Sequence, residues 1–408
     1  MKFNKWTLAL AAGGVVSLGS IAQAEEKPTS QVLTAVSSTT LSGYVDTSAI
    51  WKFGTGNANL PGRQFDGPGK QDGFNLNVVG LTLNKPLSEE QWAAGYKVDL
   101  LFGPDANTFK SLIGEVGGSD LAIKQAYVAL RVPLGNGIDW KVGVFDPIIG
   151  YESFESYLNP NYSRSYGHGL EPKQHTGVLA SYKATDAVSF SAGVANTYNP
   201  VLGDVNARPR RGGVLADESE KTYMASVSIT APESWGFLKD SAWFFGIVDG
   251  LANNTKDTTS VYLGGSLHTP IEGFSVGGSL DYRFNGPNTV TLGNNWAWAI
   301  AGYASFQANE KWKFNARLDY TEGSDGTFYD RNPPGPGNPG LQNRLGSATL
   351  TADYALWANV ISRVEFRWDH SMSGDTPYGG TGAIPVSPTN TGVNRNAVSV
   401  ALNLIYKF

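Results

Sequence analysis

Strict two-residue alternation, renewed segment after segment, constrains this chain more than any other feature it has. In "VEFRWD", Val364, Phe366 and Trp368 fall on one side, and Glu365, Arg367 and Asp369, with Arg363 before them, on the other. "WKFNARLDY" repeats the pattern, setting Trp312, Phe314, Ala316, Leu318 and Tyr320 against Lys313, Asn315, Arg317 and Asp319. "FSVGGSLDYRF" sets Phe274, Val276, Leu280, Tyr282 and Phe284 against Ser275, Ser279, Asp281 and Arg283. A period of two places successive side chains on opposite faces of a strand, so each segment has one apolar face and one charged face. Sixteen such segments can be marked: 40–53, 74–84, 94–102, 121–133, 138–146, 175–185, 188–197, 222–230, 241–249, 259–269, 273–284, 295–307, 311–320, 345–355, 360–369 and 396–408. Most run for about 9–13 residues, longer than the usual soluble strand and close to what a tilted strand needs to cross a bilayer.

The connections sort themselves. "GTGNANLPGRQFDGPGKQDG" is long, "KPLSEEQWA" shorter, 103–120 long, "LGNG" short, 147–174 long, "TDA" short, and the alternation continues along most of the chain. Gly, Pro, Asn and Asp fill the long ones, as turn chemistry requires. In an up-and-down barrel every second connection lies on the same rim, and outer-membrane barrels carry short periplasmic turns and long outer loops. An even strand number returns both ends of the barrel to the short-turn side.

Two architectures could use so much alternation, a large soluble all-β protein or a membrane barrel. After the first 24 residues no run of about 18 apolar residues appears, so no transmembrane helix is expected. The chain has no cysteine, which excludes thiolate metal sites, disulfides and cysteine nucleophiles. Aromatic residues gather at segment ends. Trp92, Trp140, Trp235, Trp312, Trp357 and Tyr406 lie at or beside short-turn ends, and Trp51, Phe53, Phe245, Tyr282, Phe284, Trp296 and Trp368 near the others. Two belts of amphipathic rings are expected where strands leave hydrocarbon. The expected fold is therefore all-β, a transmembrane antiparallel up-and-down β-barrel of about sixteen strands with short periplasmic turns and long extracellular loops.

The two ends agree with this. "MKFNKWTLALAAGGVVSLGSIAQA" has Lys2 and Lys5, a short apolar stretch and a small-x-small cleavage site at Ala22–Ala24, the parts of a secretory signal peptide. Residues 1–24 are expected to be removed, 25–38 to form a short periplasmic segment, and 39–408 to form the barrel. Cleavage would remove two lysines and no acid, taking the formal charge from −5 to −7; an acidic chain of this kind is not expected to bind nucleic acid. The last segment, "VSVALNLIYKF", alternates up to the final Phe408. It has to pair with the first, because an open edge in lipid would leave backbone N–H and C=O groups unsatisfied at several kcal/mol each. A terminal Phe after alternating apolar residues also resembles the end of outer-membrane proteins generally, which the barrel-assembly machinery reads, and that resemblance implies Tyr406 and Phe408 as the signal.

Residues 125–200 are similar to one family. "KVGVFDPIIGYE", "NPNYSRSY" and "HTGVLASY" are the most telling pieces, with "QAYVAL" and "TDAVSFSAGVAN" in support. "LSGYVDTSAIW" and "GFNLNVVGLTLNKPL" fit its N-terminal strands. On these residues the chain resembles the OmpL-like outer-membrane β-barrel porins. That resemblance implies a pore in the outer membrane of a Gram-negative bacterium, no catalytic residues and no cofactor. It does not name a solute.

A barrel of this size encloses water, so transport needs a polar lumen and a narrow point rather than a reaction. The connection 147–174 is the candidate constriction loop. It carries Glu152, Glu155, Arg164, His168 and Glu171, with Asp146 beside it. Opposed acids and bases across a narrow opening would filter solutes by charge. Loop length does not fix direction, so infolding into the lumen and folding over the outer mouth both stand. The candidate pore-lining charges are Lys97, Asp99, Arg131, Lys141, Asp281, Arg283, Arg317, Asp319, Arg363, Glu365 and Arg367, whose face must be wet. For any single one of them, pairing with a neighbour to stabilise the wall is the role expected ahead of direct solute contact.

The four histidines, His168, His175, His268 and His370, belong to no nucleophile or metalloprotease motif, and neither a metal site nor enzymatic activity is expected. "RPRR" at 208–211 is read as an outer-loop patch facing anionic lipopolysaccharide. Expected partners are outer-membrane lipid and lipopolysaccharide, small hydrophilic solutes and the assembly machinery. Homotrimers are common among sixteen-stranded porins, although no oligomer face is marked in the sequence. The function expected is passive diffusion of small hydrophilic solutes and ions. The alternatives are a substrate-specific channel and a plugged structural or adhesive barrel.

Overall fold

The computed structural model describes residues 32–33, 38–53, 70, 72–109, 120–196, 198, 221–252, 256–285, 295–324, 328, 343–379 and 394–408. The first strand, β1, is the two-residue Val32–Leu33, which pairs with the start of β2. The barrel proper begins with β2 (Thr40–Phe53), β3 (Gly73–Lys85), β4 (Ala94–Phe102), β5 (Leu121–Val132) and β6 (Ile138–Phe145). It continues through β7 (His175–Lys183), β8 (Val188–Ala195), β9 (Thr222–Thr230), β10 (Ala242–Ala252) and β11 (Lys256–His268). The last six are β12 (Phe274–Asn285), β13 (Asn295–Gln307), β14 (Trp312–Gly323), β15 (Asn343–Trp357), β16 (Val360–Ser371) and β17 (Asn396–Lys407). Each pairs antiparallel with the next. β17 pairs with β2 from Val398 opposite Phe53 to Lys407 opposite Tyr44, closing a sixteen-strand barrel.

The closing seam extends to Phe408. Gly43 N–H donates to the Phe408 carbonyl at 2.8 Å and Phe408 N–H to the Gly43 carbonyl at 2.9 Å, so the ladder runs to the last residue. No edge is left for lipid to meet.

The two faces divide as the alternation requires. On β14, Leu318 is 68% exposed and Phe314 47%, while Arg317 between them is 0% exposed. Apolar side chains point outward to lipid and polar ones inward. The inward residues form rows around the wall. One runs Arg317, Thr349, Arg367, Ser399 across β14 to β17, and a parallel row runs Asn315, Thr351, Glu365, Ala401. The exposed rings of Trp92, Trp235, Trp312, Trp357 and Tyr406 mark the short-turn rim. At that rim β15 and β16 join through Ala358 and Asn359 alone, and Asn359 takes φ 66°, a left-handed position that Asn tolerates.

All sixteen expected segments are strands, and most boundaries differ by no more than three residues. The main departure is the connection after β10, expected over 250–258. The ladder instead continues from Gly250 opposite Thr258 to Ala252 opposite Lys256, leaving only 253–255 between the strands. Thr258 and Thr259 are β-branched and suit the pleated surface, and Gly250 admits close approach, since a Cβ there would lie 2.2 Å from Thr222 Oγ1. Residues 1–24 and the "RPRR" patch lie outside the described residues.

Candidate pore loop and lumen wall

The connection from Asp146 to Gln174 leaves β6 and returns to β7, yet its polar contacts lie largely on β14, β15 and β16, half-way round the ring. The loop therefore enters the barrel and reaches across it. Tyr151 stacks on Tyr303 of β13, with ring centroids 4.0 Å apart. A short helix, Tyr166–Leu170, follows within the loop, and Ser165 caps it by accepting from the His168 N–H at 3.2 Å. Gly167 is needed there, because a Cβ would lie 2.3 Å from the Asp281 carboxylate on β12.

Arginines and carboxylates from loop and wall interlock. Arg317 Nη1 donates to Glu152 Oε1 at 2.8 Å and to the Ser163 carbonyl at 2.8 Å. Its Nη2 reaches Ser163 Oγ and Thr349 Oγ1, each at 3.1 Å, and its Nε reaches Asp319 Oδ2 at 3.0 Å. Glu152 uses its second oxygen to accept from Ser165 N at 2.7 Å and Ser165 Oγ at 2.8 Å, tying the helix start to the same wall position. Glu365 accepts from the backbone N–H groups of Tyr162 (2.5 Å) and Ser163 (2.8 Å). Arg363 donates to the carbonyls of Ser156 (2.9 Å) and Asn159 (3.3 Å), and Arg367 to the carbonyl of Arg164 (2.5 Å). Charge-assisted bonds of this kind are the stronger class. They also satisfy backbone groups that a loop inside a barrel would otherwise leave unpaired.

Arg164 serves the loop itself. Its guanidinium donates to the carbonyls of Ser153 (3.0 Å), Tyr162 (2.5 Å) and Phe154 (2.8 Å), closing residues 153–164 on themselves. At the near wall Lys124 holds Asp146 (2.5 Å) and Glu155 (2.9 Å). Glu171 lies 3.4 Å from His168 Nδ1. Burial raises the Glu171 carboxyl to about 7 and, with Lys173 and Arg164 beside it, pushes the His168 imidazole well below its ordinary value. The imidazole is then neutral near pH 7, and its contact with Glu171 is not a charged pair.

The structure thus brings together Glu152, Arg164, Arg317, Asp319, Arg363, Glu365 and Arg367 in one network. Asp146 and Glu155 sit apart at the near wall, and Glu171 and His168 lie by Asp281. Arg317, Asp319, Arg363, Glu365, Arg367, Asp99 and Asp281 point inward but are buried, the first five beneath the loop. Lys97, Arg131, Lys141 and Arg283 point inward and are only partly buried. Arg131 is bidentate to Asp139 (2.6 and 2.7 Å).

Two inward groups escape a period-two reading. Lys124 is the extra residue of a β-bulge in β5, where Gln125 faces Asp99 and Ile123 faces Leu100. Asn77 is the extra residue in β3, where Val78 faces Asp46 and Leu76 faces Thr47. Each bulge turns a polar side chain inward that strict alternation would place outward. Asn77 then donates to Asp46 (2.8 Å) and accepts from Ser48 (3.0 Å).

A family model described as "Putative beta-barrel porin-2, OmpL-like" matches residues 38–408. The chain belongs to that porin family. It is an outer-membrane channel through which solutes diffuse, and its place is the bacterial outer membrane. Solved structures of porins share the fold at low identity. The outer membrane channel DcaP of Acinetobacter baumannii is 15% identical, with TM-score 0.59 over 93% of this chain and 100% of that one. An anion-selective porin from Comamonas acidovorans is 13% identical, with TM-score 0.58 over 91% of this porin and 99% of the other. OmpT, an outer membrane protein of Vibrio cholerae, in its trimer form is 12% identical, with TM-score 0.52 over 91% of this chain and 99% of that chain. No curated protein matches the porin in sequence.

Proposed function

We propose that residues 147–174, with Asp146 beside them, form the constriction of this porin and that small hydrophilic solutes and ions pass beside the loop down their own gradients. The observation that carries the reading is the fastening of the loop to the far wall through Glu152–Arg317, Glu365 and Arg367. A segment held across the lumen narrows it at a fixed height, and its charges face those of the wall. The partly buried Lys97, Arg131, Lys141 and Arg283 are the lining groups that meet solute. Asp146, Glu155, His168 and Glu171 shape the loop and the entrance beside it. No reaction is assigned to any of these residues.

The depth of burial of Arg164, Arg317 and Arg367 favours a second reading, a channel narrow enough to select its substrate. The terminal Tyr406 and Phe408, with ring centroids 6.4 Å apart, are proposed as the signal that the assembly machinery reads. A homotrimer is proposed from the likeness in fold to a porin that has a trimer form, and lipopolysaccharide is proposed to meet the long-loop rim. Residues 1–24 are proposed as a cleaved signal. Planar-bilayer recording of the refolded porin, with heat-modifiable gel migration as the folding control, tests the conduction reading. Deleting the loop's interior should enlarge the conductance. Equal conductance with and without it would remove the loop from the constriction.

A further inference from the structure

The charges under the loop are consumed by one another, so solute preference has to come from elsewhere in the wall. The wall of β3 to β7 near the short-turn rim holds a recess of about 310 Å³. Tyr127, Arg131, Lys141, Ser181 and Lys183 line it from the strands, and the β3–β4 turn covers it. Arg131 fixes that cover. Two of its nitrogens hold Asp139, and Nη1 donates to the Ser88 carbonyl at 3.2 Å. Lys183 is held by Asp186 at 2.6 Å.

Lys141 differs from these. It sits between Ala129 and Leu179 in the sheet register and points inward. Its ammonium lies 5.0 Å from the Tyr127 ring centroid, and no carboxylate of the described residues pairs with it. Two acids line the recess: Asp139 is held by Arg131, and Glu89 of the β3–β4 turn lies near the same guanidinium. The acids nearest Lys141 along the wall are also taken. Asp146 and Glu155 are bound by Lys124, and Asp99 accepts from Gln125 (2.6 Å) and Thr82 (2.7 Å) with Lys97 at 3.1 Å. A cation over an aromatic face, inside a recess with low-dielectric walls, retains a field that water screens incompletely.

We propose that this recess binds the oxyanion group of a passing solute, a carboxylate or a phosphate, on Lys141, and that it gives the channel a preference for anions. The proposal rests on the conduction reading and names the solute class for it. Lys141 supplies the charge, and the Ser181 hydroxyl and Tyr127 phenol supply neutral donors. The Arg131–Asp139 pair holds the shape of the recess without adding net charge. Lys97, across Tyr127 in the register, is paired with Asp99 and adds no net charge.

The test uses the refolded porin in planar bilayers under a KCl gradient, with K141Q, K141R and K141C beside the wild type. The wild-type reversal potential should show anion preference. K141Q should lower the anion-to-cation permeability ratio by about two- to threefold, the size expected for one charge several ångströms from the ion path in a water-like dielectric. K141R should keep the preference. The chain has no other cysteine, so K141C treated with an aminoethyl thiosulfonate should regain it on an already folded barrel. Titration calorimetry in detergent, with inorganic phosphate in one arm and acetate in the other, should show binding that K141Q weakens and should say which oxyanion is preferred. A conducting wild type whose reversal potential K141Q leaves unchanged overturns the proposal while conduction stands. A folded barrel that never conducts overturns the conduction reading instead, and calorimetry then decides the recess: heat lost in K141Q supports binding, and no heat from the wild type overturns it.

Discussion

Replacing Arg317 with methionine should release the loop from the far wall without opening the barrel. Arg317 is fully buried and makes five contacts at 2.8 to 3.1 Å, with Glu152, Ser163 (twice), Thr349 and Asp319. Methionine keeps much of the volume and removes every donor. Glu152 would keep only its bonds from Ser165, and Asp319 those from Ser347 (2.6 Å) and the Tyr166 N–H (3.3 Å). Breaking one side of a buried ion pair costs about 3–5 kcal/mol, because the other charge stays buried without its partner. At about 1.4 kcal/mol per tenfold, the ratio of docked to undocked loop falls by about two to three and a half orders of magnitude. The barrel ladder does not depend on Arg317, so heat-modifiable migration should persist. Single-channel recording should show larger and noisier openings. R317K should be intermediate, since a point charge cannot reproduce the planar fork. The E152Q/R317M double variant should recover part of the loss, because Glu152 is then no longer stranded and only Asp319 lacks its guanidinium. If R317M conducts as the wild type does, with the same noise, the fastening of the loop through this pair is refuted.

Three further outcomes follow from the same contacts. Asn161 Nδ2 lies 2.7 Å from Thr351 Oγ1, so an N161C/T351C variant should be cross-linked by a short bifunctional thiosulfonate, which should lower the current noise, and reduction should reverse both; no cross-link in a folded sample would place the loop elsewhere. The Glu171 carboxyl, raised to about 7 by burial, binds more protons docked than undocked between its ordinary value of 4.5 and 7. Docking should therefore weaken as pH rises through that window, giving larger or noisier currents at pH 8 than at pH 5, and E171Q should flatten the difference. Leu318 faces lipid at mid-strand, so L318R should cost about 2–4 kcal/mol of folded stability in a bilayer, read as a lower urea midpoint in vesicles, whereas L318F should cost little.

The strands were legible because the bilayer enforces the period. Outside must be apolar and inside wet, so "VEFRWD" and "WKFNARLDY" read directly as β16 and β14. The even strand count, the sorting of turns by length and the seam at Phe408 follow from the same constraint. Direction of the loop was not legible, because length alone does not say which way a connection folds. Glu152 and Arg317 are 165 residues apart, and only ring closure brings them to one place. Glu365 read as a wall charge. That it would accept two backbone N–H groups of the loop depends on Tyr162 and Ser163 arriving opposite it. Lys124 and Asn77 were hidden for another reason, since a bulge reverses facing for one residue and leaves no mark in composition. The connection after β10 looks longer in the sequence than it is, because Gly, Asn and Lys resemble loop chemistry while the ladder beneath them continues to Lys256.

Single-channel conductance of residues 25–408, refolded and shown to be heat-modifiable, tests most directly whether the barrel is a water-filled channel narrowed by the loop fastened across it. Stepwise openings are expected, with a size that scales with bulk salt and grows when the loop's interior is deleted. A correctly folded barrel that stays silent at every salt concentration would contradict that expectation.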